Sequence, residues 1–316
     1  MFSRTLAVMF MAALLAPGAT GCRPAPVQYI PARVPEAGLT GLVLFFPSPD
    51  GTLVPVTRPA RTTVPVQAAV DELLRGPAAS SGLLRLFAAG PTLRRAAWRT
   101  DLLFLDFSGP LLALEGEDGG RFVAALGRTV GELGTFRAAV LTALSQVVTN
   151  LAGAPQGRLQ AVKPESVYYQ AVAARDRWYV APVPTTPAGP GELVAQALTG
   201  SGLSSLWRGR PPQAEVTVAG ATATVRLPAN ALRSLRGGDG AKALAVDAIG
   251  LSALAAPGID RVTLLLGENV LSWAPGQAGE AWVNPEPTAL QVTVGDFTLT
   301  AVGDILTARK IGRHLQ

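Results

Sequence analysis

The residue types that do chemistry are scarce in this chain and far apart. Its 316 residues contain one histidine, His314, and one cysteine, Cys22. A Ser-His-Asp or Cys-His site needs its base beside its nucleophile, and these two stand at opposite ends of the sequence. No group of Cys, His, Asp and Glu has zinc spacing. The acidic stretch Glu115-Gly116-Glu117-Asp118 lies among glycines between a strand and a helix. It reads as a weak cation site or, more simply, as a solvated loop whose acids favour the N-terminus of the following helix. The glycines of "GRTVGELG" (127–134) neither follow a strand nor open a helix, so they make no dinucleotide loop. One carboxylate has a suggestive setting: an apolar strand, Phe297 to Val302, runs into Gly303-Asp304. Glycine turns sharply there, and a carboxylate at the end of a buried strand faces a cleft where hard cations bind oxygen. The tryptophans Trp98, Trp178, Trp207, Trp273 and Trp282 offer a glycan-stacking surface or, as the plainer reading, core and hinge packing. On the residues alone, no catalytic constellation and no cofactor site is expected.

Composition narrows the partners. A hydrophobic share of 48 % with 16 % charged residues fills real cores, and the length suggests two compact units. The net charge of +5 comes almost wholly from arginine, with Lys163, Lys242 and Lys310 the only lysines. No Lys/Arg cluster is interleaved with aromatics as a base-stacking surface requires, so no nucleic-acid partner is expected.

The N-terminus supplies an address. Arg4, an apolar run from Leu6 to Leu15 and small residues before Cys22 have the layout of an export signal. The run is too short to span a bilayer as a helix, which takes roughly 20 residues. Ala19-Thr20-Gly21-Cys22 resembles the bacterial lipobox, departing from it at Ala19, where leucine is usual. That resemblance implies a signal peptide over 1–21 and lipid attachment at Cys22, with the mature protein held on the extracytoplasmic face of the membrane by its acyl chains. The other reading is an ordinary signal peptide with Cys22 left over. The Pro-rich segment 22–38 reads as an extended spacer.

After the spacer a pattern runs twice. "GLVLFFPSPDGTLVPVTRPAR" is a strand pair around the turn Pro49-Asp50-Gly51. Val66, Val70, Leu73 and Leu74 then stand at helical spacing, ended by Gly76-Pro77. A strand at Leu102 to Gly109, a helix from about Arg121 to Leu151 and a closing strand at Gly157 to Val162 follow. "SVYYQAVAARDRWYVAPVP", "GELVAQALTGSG", "ATVRLPANAL", "GAKALAVDAIGLSAL" and "IDRVTLLLGENVLSW" repeat that order. A repeat this long is a tandem domain, not a solenoid unit. The copies are placed at 39–164 and 165–287, with "NPEPTAL" as a linker and residues 288–316 as a tail.

Phe45-Phe46-Pro47, Leu53-Val54-Pro55-Val56, Leu73-Leu74-Arg75-Gly76-Pro77 and Asp106-Phe107-Ser108 resemble the sporulation and spore germination (GerMN) domain. The second copy departs from these points, with Gly200-Ser201 for Gly76-Pro77 and Arg226-Leu227-Pro228 for Asp106-Phe107-Ser108. The resemblance implies an α+β fold of two tandem small α/β-sandwich domains, each with two helices on a small mixed sheet. It also implies a non-catalytic interaction or assembly module in sporulation, germination or the envelope, with an envelope or spore protein or a second copy of itself as partner. It carries no catalytic residues.

The tail resembles something else. Val302-Gly303-Asp304-Ile305-Leu306 is similar to the first strand of the capsule-synthesis (poly-γ-glutamate) family with its metallophosphatase-like fold, which implies Asp304 as a first metal ligand. The remaining ligands of such a site are missing from the sequence. A fragment of an enzyme fusion, a vestige and a plain strand with a turn all stay open. A third class, a glycan- or solute-binding lipoprotein, predicts a polar cleft of about 300 Å³ or more between the repeats, whereas an assembly module predicts a shallow apolar junction.

Overall fold

The computed structural model describes residues 26–87, 90–273, 275, 281–286, 290–294 and 297–301. Each repeat opens with a β-hairpin. In the first, β1 (Thr40–Pro47) pairs with β2 (Leu53–Ala60), Leu44 opposite Val56 and Phe46 opposite Val54. The turn is held as its residues suggest. Asp50 Oδ1 accepts from the Ser48 hydroxyl and, at 3.0 Å, from the Thr52 N–H, and Gly51 takes φ +86°. Helix α1 (Pro65–Arg75) starts with Pro65 in its first turn, where a missing N–H costs nothing. It buries Val66, Ala69, Val70 and Leu73.

A second hairpin, β3 (Leu93–Arg99) and β4 (Leu102–Phe107), leads through helix α2 (Gly116–Glu132) to β5 (Ala138–Ala143), which lies parallel to β4. A parallel pair needs such a crossover. The short strands β6 (Gln146–Val147) and β7 (Arg158–Gln160) both pair with β5. Hairpin, helices and sheet close on one core. In it the buried ring of Phe122 meets Phe107 edge-on at 5.9 Å, a geometry that favours aromatic pairs.

The second repeat has the same plan: hairpin β8 (Val167–Ala174) with β9 (Arg177–Pro184), helix α3 (Pro190–Thr199) and the single turn α4 (Ser201–Ser204). Hairpin β10 (Glu215–Ala219) with β11 (Thr222–Leu227) then leads through helix α5 (Gly238–Leu254) to β12 (Arg261–Leu266), parallel to β11, with β13 (Asn269–Val270) at its edge. Helix α5 is apolar nearly all round, as a helix enclosed on every side must be. Near the C-terminus β14 (Leu290–Val294) pairs with β15 (Phe297–Ala301). The fold is α+β, with small mixed sheets and few helices, as expected.

Three local expectations are corrected. The helix placed from Arg121 to Leu151 ends at Glu132, and part of its second half is the central strand β5. Gly134 breaks it at φ +67°, and the apolar run Ala138 to Leu141 suits a strand buried in a sheet as well as a helix. Strand β3 was not expected, because its three arginines hide an edge strand that faces solvent. The closing strand is shorter than Gly157 to Val162, covering Arg158 to Gln160.

The spacer and the linker also differ in role. Of segment 22–38, residues 27–33 do not hold the repeats away from anything: they lie on the second repeat. Val27 N–H donates to Gly237 O at 3.0 Å, Gln28 O accepts from Trp178 N–H at 2.9 Å, and Arg33 and Trp282 exchange backbone bonds. Asn284, Pro285 and Glu286, expected at the start of a linker, are buried between the repeats. Both segments meet partners distant in sequence, which local composition does not encode.

Candidate functional site

The site grows out of the two opening hairpins. Alternation along β1 sends Leu42, Leu44 and Phe46 into the first core and leaves Gly41, Val43 and Phe45 on the other face. Hairpin β8–β9 is shared. Val172, Ala174, Tyr179 and Ala181 join the first core, while Ala171 and Val180 join the second. The Tyr179 hydroxyl donates to Ser81 O at 2.6 Å. Gly82, at φ +74°, brings its backbone against Ala174 O so closely that a Cβ would collide with it.

Residues 281–286 lie between β2 and β9. On one side Thr57 N–H and hydroxyl both donate to Val283 O, at 3.2 and 2.8 Å, and Glu286 N–H donates to Thr57 O at 3.1 Å. On the other, the Asn284 side chain stands in for a strand: Oδ1 accepts from Val180 N–H at 3.0 Å, while Nδ2 donates to Val180 O and Pro55 O, both at 2.7 Å. Asn284 sits at φ +47°, a region asparagine tolerates better than most residues. Arg58 fastens the same segment to α1. It donates to Glu286 Oε2 at 2.7 Å, to Glu72 Oε2 at 2.9 Å and to Gly76 O at 2.7 Å, with the Phe46 ring 5.6 Å away. Its side chain is 13 % exposed.

A second tie holds the N-terminal segment. Asp247 of α5 accepts from the Tyr29 hydroxyl, the Ala32 N–H and Trp273 Nε1, each at 2.7 Å. Burial pushes its carboxyl above the usual range, against the pull of those three donors. The same burial, with the Asp247 charge beside it, raises the Tyr29 phenol.

Between the hairpins lies an open cleft of about 520 Å³. Its walls come from both repeats: Val43, Phe45 and Arg128 from the first, Val167, Tyr169 and Leu254 from the second. Glu132, Lys163 and Glu165 add charges of both signs. The Phe45 N–H donates to the Thr129 hydroxyl at 3.1 Å, which fixes α2 against β1 and sets Arg128 over Phe45. The size exceeds what a simple assembly junction predicts.

The residues singled out by sequence fall elsewhere. Cys22, Asp304 and His314 lie outside the described residues, as does the segment Val302 to Leu306 that resembles a capsule-synthesis strand; β15 describes only the strand before it. Glu117 and Asp118 occupy the first turn of α2 and pair with Arg121, so this stretch is a helix N-terminus. Trp207 and Trp282 are buried and Trp273 is tied to Asp247, whereas Trp98 is 53 % exposed. Among the described residues no group of three or more His, Cys, Asp or Glu could hold a metal ion, and no helix is long and apolar enough to cross a membrane.

Residues 43–143 match the model of the family described as Germane: Sporulation and spore germination. Residues 43–143 are thus similar to a Germane (GerMN) domain. A solved structure of the tandem GerMN domains of the sporulation protein GerM from Bacillus subtilis aligns over 77 % of this chain and 99 % of its own. The TM-score is 0.50 at 12 % identity, a likeness of fold. The first GerMN domain of the same protein aligns over 35 % of this chain and 88 % of its own, with a TM-score of 0.32 at 17 % identity. No curated protein matches the chain.

Within residues 43–143 the motif Asp106-Phe107-Ser108 is structural. Asp106 accepts from the Ser145 N–H and the Thr142 hydroxyl, both at 2.8 Å, and from Arg94 at 3.1 Å. Burial pushes its carboxyl up, but these donors outweigh it and hold the group below its ordinary value. In the second repeat the matching position of β11 is Arg226. It faces Glu215 across the hairpin at 4.0 Å and pairs with Glu268. The sign is inverted and its partners are inverted with it. Sequence reading missed Arg128, Tyr169, Asp247 and Asn284. The one signal available was Arg128 itself, a charge on the face of α2 that otherwise carries buried residues.

Proposed function

We propose that this protein is a membrane-anchored extracytoplasmic lipoprotein that acts as a non-catalytic interaction module in sporulation, spore germination or envelope assembly. The observation that carries the reading is the Germane domain at residues 43–143, followed by a second repeat of the same plan. The protein of like fold, GerM, is a sporulation protein, which supports the same setting here. The lipobox-like Ala19 to Cys22 supports the anchor, with diacylglycerol on Cys22. Two acyl chains hold a protein where one binds only marginally.

The test has two arms. Labelled palmitate is expected in the wild-type protein and absent from Cys22→Ala; equal labelling of both sinks the anchor. Cross-linking of intact envelopes followed by capture of the mature protein is expected to yield a defined partner or a self-adduct. Recovery of the monomer alone would sink the interaction reading. The cleft of about 520 Å³ favours a second reading, a solute- or glycan-binding lipoprotein. An enzyme fusion through Asp304 is supported only by the resemblance of the tail.

A further inference from the structure

Two hydrogen-bond donors face the cleft between the repeats, and among the described residues neither has a partner. Arg128 is 8 % exposed, with its guanidinium carbon 4.8 Å from the centroid of the Phe45 ring. No hydrogen bond or ion pair from a described residue reaches that guanidinium. Glu132, one helical turn on, attracts it but pairs at 3.7 Å with Lys163 Nζ. An arginine cannot shed its charge at neutral pH, and its N–H groups, open to the cleft, remain available to an anion while the Phe45 ring covers one face.

Tyr169 supplies the second donor. Burial and the Glu132 charge push its phenol up to about 12, against the lowering effect of Arg128. It therefore keeps its proton at neutral pH and feels the same guanidinium. The rest of the cleft discriminates among anions. Val43, Val167, Leu254 and Val283 make apolar walls. The charges that line it, Arg128 and Lys163 against Glu132 and Glu165, sum to none. Such a site suits one negative charge on an apolar body and disfavours a dianion. The planar fork of a guanidinium matches a carboxylate in particular.

We propose that the inter-repeat cleft recognises a carboxylate carried on an apolar group, held by Arg128 with Tyr169 as the second donor. This rests on reading the protein as an interaction module and names the chemistry that module recognises. A peptide C-terminus and a free fatty acid share that chemistry.

Calorimetric titration of the mature protein tests it, with N-acetyl-dileucine, its C-terminal amide, octanoate and inorganic phosphate as probes. N-acetyl-dileucine or octanoate is expected to bind at least about 10-fold more tightly than the amide and than phosphate, one well-made charge-assisted contact being worth that much. Tighter binding of the dipeptide assigns the site to a peptide terminus; tighter binding of octanoate assigns it to a fatty acid. Arg128→Gln is expected to abolish the preference for acid over amide, and Tyr169→Phe to weaken acid binding several-fold while leaving the amide unchanged. Equal binding of acid and amide by the wild-type protein overturns the proposal whatever the variants do, and so does binding of neither acid. The envelope cross-linking result is independent of these probes, so the carboxylate assignment can fail while the interaction reading stands.

Discussion

At the residue scale, single polar side chains join what are otherwise separate apolar layers. Asn284 makes three buried hydrogen bonds with the backbone of two strands. Asn284→Ala is expected to cost about 2–4 kcal/mol in urea unfolding, because the Val180 N–H loses its acceptor and alanine is strained at positive φ. Asn284→Gly keeps the conformation and should lose less. Asp247 gives a pH signature. Its carboxyl is raised by burial, so the unfolded chain ionises first as pH rises from about 4. Its contribution to stability then falls with rising pH until the folded carboxyl ionises too. Wild type should therefore lose stability relative to Asp247→Asn as pH rises from about 4; a difference flat in pH would contradict the assignment. Neither residue could be read from the sequence, because Asp247 ties down Tyr29 and Ala32 and Asn284 joins Pro55 to Val180, partners remote along the chain. Asp50 and Gly76, whose turn and helix-end roles are local, were legible.

At the element scale, the sequence carried each strand or helix that has a clear period or a strong turn. Hairpin β1–β2 and helix α1 are examples. It hid the elements whose burial is decided by neighbours: β5 looked helical because its six residues are a short apolar run, and β3 gave no strand signal because it is an arginine-rich edge. The cleft was hidden for the same reason, being made of hairpin faces that meet only when the two repeats dock. Arg58 shows how the elements are fastened, joining β2, α1 and residues 281–286. Arg58→Met is expected to cost about 3–5 kcal/mol, since Glu286 would remain part-buried without its counter-ion and Glu72 would keep only the exposed Arg75. Arg58→Lys should recover little, as one ammonium cannot reproduce a fork that reaches several acceptors. Urea midpoints of the three proteins check this, and faster proteolysis after Trp282 in Arg58→Met would locate the released segment.

At the scale of the molecule, the repeats legible in the sequence are not independent domains. The hairpin that opens the second repeat completes the core of the first. The N-terminal segment crosses to the second repeat, and residues 281–286 return to the first. A small domain that lends one face of its core to its neighbour has little surface left to bury alone. A fragment of residues 39–164 should therefore melt below the full protein. Docking the repeats as one body is also what creates the cleft and encloses Arg128. The most direct measurement is differential scanning calorimetry of the whole protein, comparing calorimetric with van't Hoff enthalpy. One transition with the two enthalpies equal is the predicted result. Two separable transitions, one for each repeat, would contradict the account.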